Sequence, residues 1–199
     1  MEIKEYQKLA MRTSTKNHDR VLNGCLGLIG ETGEIVDIVK KWKFQSGDNA
    51  DLPVDKLIDE CGDVLWYCAE LATGMHDNLA DMYCLACDLF DCLREMTEET
   101  DPAISAARMS VVAAEIFRDY DSLDSLYTED VKWLNQRVAN IKSNIVGMMV
   151  MIRDFLEIHC KVTLSGAMDY NIAKLRERYP DGFDPERSMH REQTEAAHE

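Results

Sequence analysis

A chain of 199 residues with 46% hydrophobic side chains can bury the core of one folded domain, or of one domain carrying a large insertion. Its formal net charge of −15 excludes nucleic-acid polymers and anionic membranes as general partners, because both require a cationic surface. A small anionic ligand stays possible if a metal ion supplies positive charge locally.

Read in order, the chain predicts helices throughout. Glu2–Thr13 opens with Ile3, Tyr6, Leu9 and Ala10 on one side, and the polar stretch Thr13–Asp19 interrupts it. Val21–Phe44 is the second predicted helix. The loop Gln45–Pro53 follows, and it is no EF-hand: counted from Asp48, the position that requires glycine holds Pro53. Val54–Thr73 is the third, broken at Gly74–Asn78. Leu79–Met96 carries an apolar stripe of Leu79, Met82, Tyr83, Ala86, Leu89, Phe90 and Leu93. After an acidic turn at Thr97–Pro102 come a helix over Ala103–Tyr120 and a polar connection over Asp121–Thr128. A long helix then reaches about His159, with Thr128 and Asp130 as candidate N-caps. Met148, Met149 and Met151 on it are expected to fill core. Ala167–Tyr179 is the last helix, stopped by Pro180 and the Asp181–Gly182 turn. Residues 184–199 lack apolar periodicity and are expected to form a flexible tail, leaving 1–183 as a single all-α domain.

The opening MEIKEYQK has no signal-peptide character. The longest apolar run, Ile145–Ile152, has eight residues, against the ~20 that a membrane-spanning helix needs. The cysteines number seven: Cys25, Cys61, Cys68, Cys84, Cys87, Cys92 and Cys160. All fall in apolar helical patterns, which predicts reduced core thiols in a cytoplasmic protein. Cys84 and Cys87 form a CxxC with neither a second pair nor a βαβ setting, so a helical i,i+3 core pair is expected instead of a zinc or redox site.

The chemistry concentrates in the second and third helices. Glu31 and Glu34 form one acidic pair at i,i+3, and Glu60 and Asp63 form another, so each pair lies on one helix face. Both pairs interrupt apolar stretches (Leu28, Ile29 and Ile35; Leu57, Ile58, Val64, Leu65 and Trp66) with no basic residue between their members. If the helices pack as an antiparallel hairpin, the carboxylates converge, and like charges at that range need a compensating cation. Oxygen-only ligands favour Mg2+, or Mn2+, over zinc. Gly27, Gly30, Gly33 and Gly62 sit inside these helical patterns, where each costs about 1 kcal/mol relative to alanine. Their presence predicts that something approaches the backbone closely.

An ExxE, 25 intervening residues and an ExxD, within LNGCLGLIGETGEIVDIVKK and KLIDECGDVLWYCAELA and followed by NIAKLRERYPDGF, resemble the MazG-like all-α nucleotide pyrophosphohydrolases. The likeness covers about Glu5–Thr73 and Asn171–Phe183. It leaves out roughly Gly74–Tyr170, which reads as a large helical insertion. The resemblance implies a helical bundle of the all-α NTP pyrophosphatase type. It also implies Mg-dependent hydrolysis of a nucleoside triphosphate, expected to be a dNTP, between the α and β phosphates to the monophosphate and pyrophosphate. Glu31, Glu34, Glu60 and Asp63 would hold one or two metal ions, with one glutamate available as general base. Asn171, Lys174 and Arg178 would grip phosphate oxygens, and Lys56 would assist from one turn before Glu60. Trp66 and Tyr67 either stack on a base or fill core, and Asn23 is placed to read a base edge.

The stretch 74–170 is either an unrelated helical insertion or a degenerate copy of the acidic hairpin. A degenerate copy would pack where a second subunit packs in shorter relatives, and would reduce the homo-oligomer. A ferritin-like di-metal oxidase would need two ExxH motifs, and of the five histidines only His198, in the tail, lies three residues after a glutamate. The remaining alternative is a non-catalytic helical scaffold or regulatory protein that keeps the fold and binds a partner through the insertion.

Overall fold

The computed structural model describes residues 1–15, 19–47, 50–84, 101–123 and 130–184, and among these it contains helices and no strand. α1 (Ile3–Ala10) runs into a 3-10 turn, Met11–Thr13. α2 spans Arg20–Gln45 and α3 spans Val54–Gly74, with further helix over residues 79–84. α4 is Pro102–Leu123, α5 is Val131–Phe155 extended by a π turn, Leu156–Cys160, and α6 is Leu164–Arg178. Side chains close five of the described helix starts: Asp19 accepts from the Val21 and Leu22 amides, Asn78 from those of Ala80 and Asp81, Asp101 from Ala103, Asp130 from Lys132 and Trp133, and Thr163 from Gly166. The Thr163 cap starts α6 three residues before the expected Ala167. Lys161, in the left-handed region at φ 58°, ends the α5 run. Residues 85–96 of the expected 79–96 helix, with Cys87 and Cys92 among them, and also Thr128 and the tail beyond 184 lie outside the described residues.

α2 and α3 form an antiparallel hairpin, and glycines set its spacing. A Cβ at Gly24 would lie 2.5 Å from Leu71 Cγ, and one at Gly27 would lie 2.1 Å from the Tyr67 ring. Large α3 side chains therefore seat directly on the α2 backbone. α4 lies antiparallel along the other side of α2. Lys43 pairs with Asp101 at one end, the Ser110 hydroxyl donates to Thr32 O at 3.4 Å midway, and the Tyr120 hydroxyl reaches Asp19 Oδ2 at 2.7 Å at the other end. α5 returns against α4 and also touches α3, tied by Arg137 to the buried Asp119 at 2.7 Å. α2, α3, α4 and α5 thus make a bundle whose core includes Leu28, Ile35, Leu65, Met109, Ile116, Ile145 and Met148. Met148 and Met149 fill core as expected. Residues of the 74–170 stretch therefore pack directly on the acidic hairpin.

α1 and α6 cover the outer side of α3. The Trp66 indole donates to Ala10 O at 3.1 Å and to Thr13 Oγ1 at 2.9 Å, which fastens α1 to α3. Trp66 therefore serves packing. Of the described cysteines, Cys25, Cys61, Cys68 and Cys160 are buried, whereas Cys84 is exposed, contrary to the expectation of a core position. Burial pushes the Cys68 thiol up to about 12 and Cys160 to about 11, leaving them as inert thiols. Among the described residues no helix is long and apolar enough to cross a membrane.

Candidate metal centre

The hairpin brings three of the expected acids together. Carboxylate oxygens of Glu31 on α2 and of Glu60 and Asp63 on α3 lie within 4.8 Å of one another, each side chain half-buried. Glu34 is not in this group. It is exposed, and its charge is felt by Lys41 one helical repeat further on. Helix geometry accounts for the difference, since an i,i+3 step turns Glu34 some 60° away from Glu31 around α2. Around this position Leu28, Thr32 and Ile35 are the α2 residues that bury in the bundle. Glu31 sits at the margin of that face and Glu34 beyond it.

Crowding shows in the electrostatics. Burial first, then the charges of Asp63 and Asp59, push the Glu60 carboxyl above its ordinary value. A side-chain hydrogen bond with Glu31 and the nearby Lys174 ammonium act the other way. Like charges this close work against one another, and a bound cation would relieve them.

α6 closes the site from the other side. Lys174 Nζ donates to both oxygens of Asp63 at 2.8 Å and also to Asp59 Oδ1. Asn171 is fully buried and donates from Nδ2 to Asp63 Oδ1 at 3.0 Å. Its own Oδ1 accepts from the Tyr6 hydroxyl at 2.9 Å. Tyr6 is buried and its pKa is raised, chiefly by that burial and next by Asp63, so it stays a donor. A donating tyrosine fixes which end of the Asn171 amide faces Asp63. Gly62 makes this possible, since a Cβ there would come within 3.0 Å of Asn171 Cβ. Three helices thus orient one carboxylate.

The other expected site residues are placed differently. Lys56 is exposed on the first turn of α3, and Arg178 is half-buried one turn beyond Lys174. Asn23 is half-buried two turns before Glu31, and the Tyr67 ring lies against Gly27. Close approach to backbone, expected for all four glycines, holds for Gly27 and Gly62, and the approaching groups are the chain's own side chains. It fails for Gly30 and Gly33, which front open space. Two residues went unnoticed in the sequence. Asp59 carried a usable signal, lying four residues before Asp63 and hence on its face. Tyr6 carried none beyond its place in an apolar stripe.

The chain matches no family model, no curated protein and no solved structure.

Proposed function

We propose that the chain is a divalent-metal-dependent nucleoside triphosphate pyrophosphohydrolase of the MazG-like type, cleaving between the α and β phosphates. The observation that carries this reading is the meeting of Glu31, Glu60 and Asp63 at one point, beside a lysine and an asparagine from α6. The donor set fits the group: three carboxylates offer hard oxygen ligands, and the crowding of Glu60 by burial and by Asp63 marks charge that a cation would neutralise. Glu31, Glu60 and Asp63 would hold Mg2+ or Mn2+, with Glu34 on the solvent side of the same helix. When bound, the cation would neutralise charge on phosphate oxygens and lower the pKa of a bound water. Lys174 and Arg178, one turn apart on α6, supply cations for oxygens beyond the metal's reach. Glu34, exposed beside the site, is suited to take a proton from an incoming water.

The test is a screen of canonical and modified (d)NTPs with Mg2+, with products identified. Monophosphate and pyrophosphate are expected from at least one of them. Asp63→Asn should abolish the activity while the helical circular dichroism signal persists. Absence of Mg-dependent pyrophosphate release from every nucleotide would overturn the reading and favour a non-catalytic scaffold.

A further inference from the structure

Lys174 is expected to hold phosphate, yet its hydrogen bonds are already committed. An ammonium group has three N–H donors and no acceptor. Here one goes to Asp59 Oδ1 and two go to the oxygens of Asp63. The side chain is only 10% exposed, so solvent does little to loosen it. Asp63 Oδ1 also receives the Asn171 amide, so both oxygens of that carboxylate are engaged. A metal ligand and a phosphate-binding lysine therefore satisfy each other, and neither is free to do its own work.

The two aspartates differ in a way that resolves this. Asp63 belongs to the group of carboxylates within 4.8 Å of one another, and Asp59 does not. A cation held by Glu31, Glu60 and Asp63 competes with Lys174 for Asp63 and leaves Asp59 untouched. Resting on the pyrophosphohydrolase reading above, we propose that Lys174 is an internal counter-cation which gives up Asp63 when the divalent ion binds. Asp59 is the positioning residue that retains it, so that the released N–H donors point at the phosphates. Metal binding then arms the lysine. Without nucleotide, the same exchange opposes metal binding, because an ion-paired hydrogen bond must break first.

Two measurements on the full-length chain test this at one pH. Mn2+ binding is followed by the spin resonance of the free ion in wild type, Lys174→Met and Asp59→Asn. The 15N-labelled ammonium resonance of Lys174 is followed as Mg2+ is added. Lys174→Met should bind Mn2+ about tenfold more tightly than wild type, the equivalent of one charge-assisted hydrogen bond no longer lost. In wild type the Lys174 resonance should shift with the same midpoint as Mg2+ binding and stay protected from solvent exchange at saturation. In Asp59→Asn that protection should vanish in the Mg2+-bound state. Equal or weaker Mn2+ binding by Lys174→Met, or a Lys174 resonance unmoved at Mg2+ saturation, overturns the exchange and leaves the metal site standing. Protection that survives in Asp59→Asn overturns the tether. Failure of every variant, wild type included, to bind Mn2+ overturns the exchange together with the metal-dependent function.

Discussion

Burial and neighbouring charge hold the Glu60 carboxyl above its ordinary value, and its protonation couples the site to stability. Its folded-state pKa is raised above the ordinary 4.5 by burial, Asp63 and Asp59. In the pH interval between the unfolded and the folded value, the folded chain binds more protons than the unfolded chain. Stability must therefore fall as pH rises through that interval, the reverse of the usual salt-bridged carboxylate. With metal removed by a chelator, the melting temperature is expected to decline as pH rises upward from about 4.5, and Glu60→Gln should flatten part of that decline. An identical slope in wild type and Glu60→Gln would show that Glu60 carries no excess proton affinity. The same residue-scale logic explains the fully buried Glu70, which is tolerable because Arg20 at 3.4 Å and the Ser14 hydroxyl at 3.0 Å meet its two oxygens.

Among the elements, the α2–α3 hairpin is built around glycines whose reasons differ. At Gly27 an added methyl would enter the Tyr67 ring, which is itself braced edge-on by Trp66 at 4.9 Å between centroids. Gly27→Ala gains about 1 kcal/mol of helix propensity and loses roughly 1–3 kcal/mol to overpacking, so it should destabilise. Gly30 and Gly33 face open space, so alanine there meets nothing and should stabilise the protein by up to about 1 kcal/mol each. Thermal melts of the three single variants check the contrast. A Gly27→Ala protein as stable as Gly30→Ala would mean that α2 and α3 are not in the close contact described. The arrangement also explains how the acids meet: a hairpin held apart by bulky residues at Gly24 and Gly27 would separate Glu31 from Glu60 and Asp63.

For the whole molecule, the stretch 74–170 provides two of the bundle's four central helices. Ala106, Met109, Ala113 and Ile116 of α4, and Ile141, Ile145, Met148 and Ile152 of α5, are all fully buried. Deleting 75–162 and joining Gly74 to Thr163 through a Gly/Ser linker would keep the Thr163 cap of α6 while uncovering apolar surface on α2 and α3. The truncated protein is expected to aggregate or to self-associate through that face, as measured by size-exclusion chromatography with light scattering. A soluble, active truncation no more oligomeric than the parent would show that α4 and α5 are an appendage to a self-sufficient hairpin.

The described helices and their order were legible in the sequence because the apolar period and the capping residues are local properties, readable within a few turns. The pairing of acids on α2 and on α3 was legible for the same reason. Which acids meet was not. The i,i+3 rule puts Glu31 and Glu34 on one face, but the packing of α3 against α2 selects Glu31 and leaves Glu34 in solvent. The assignment of Asp59 to Lys174, and of Tyr6 through Asn171 to Asp63, joins positions about a hundred residues or more apart. The docking of α4 along α2, with Asp101 at Lys43 and Tyr120 at Asp19, is long-range in the same way. A helix repeats its own geometry every few residues, so sequence specifies what each face carries. Only the fit of one helix surface into another decides which face it meets, and here that fit decides which carboxylates meet and which ones hold the lysine.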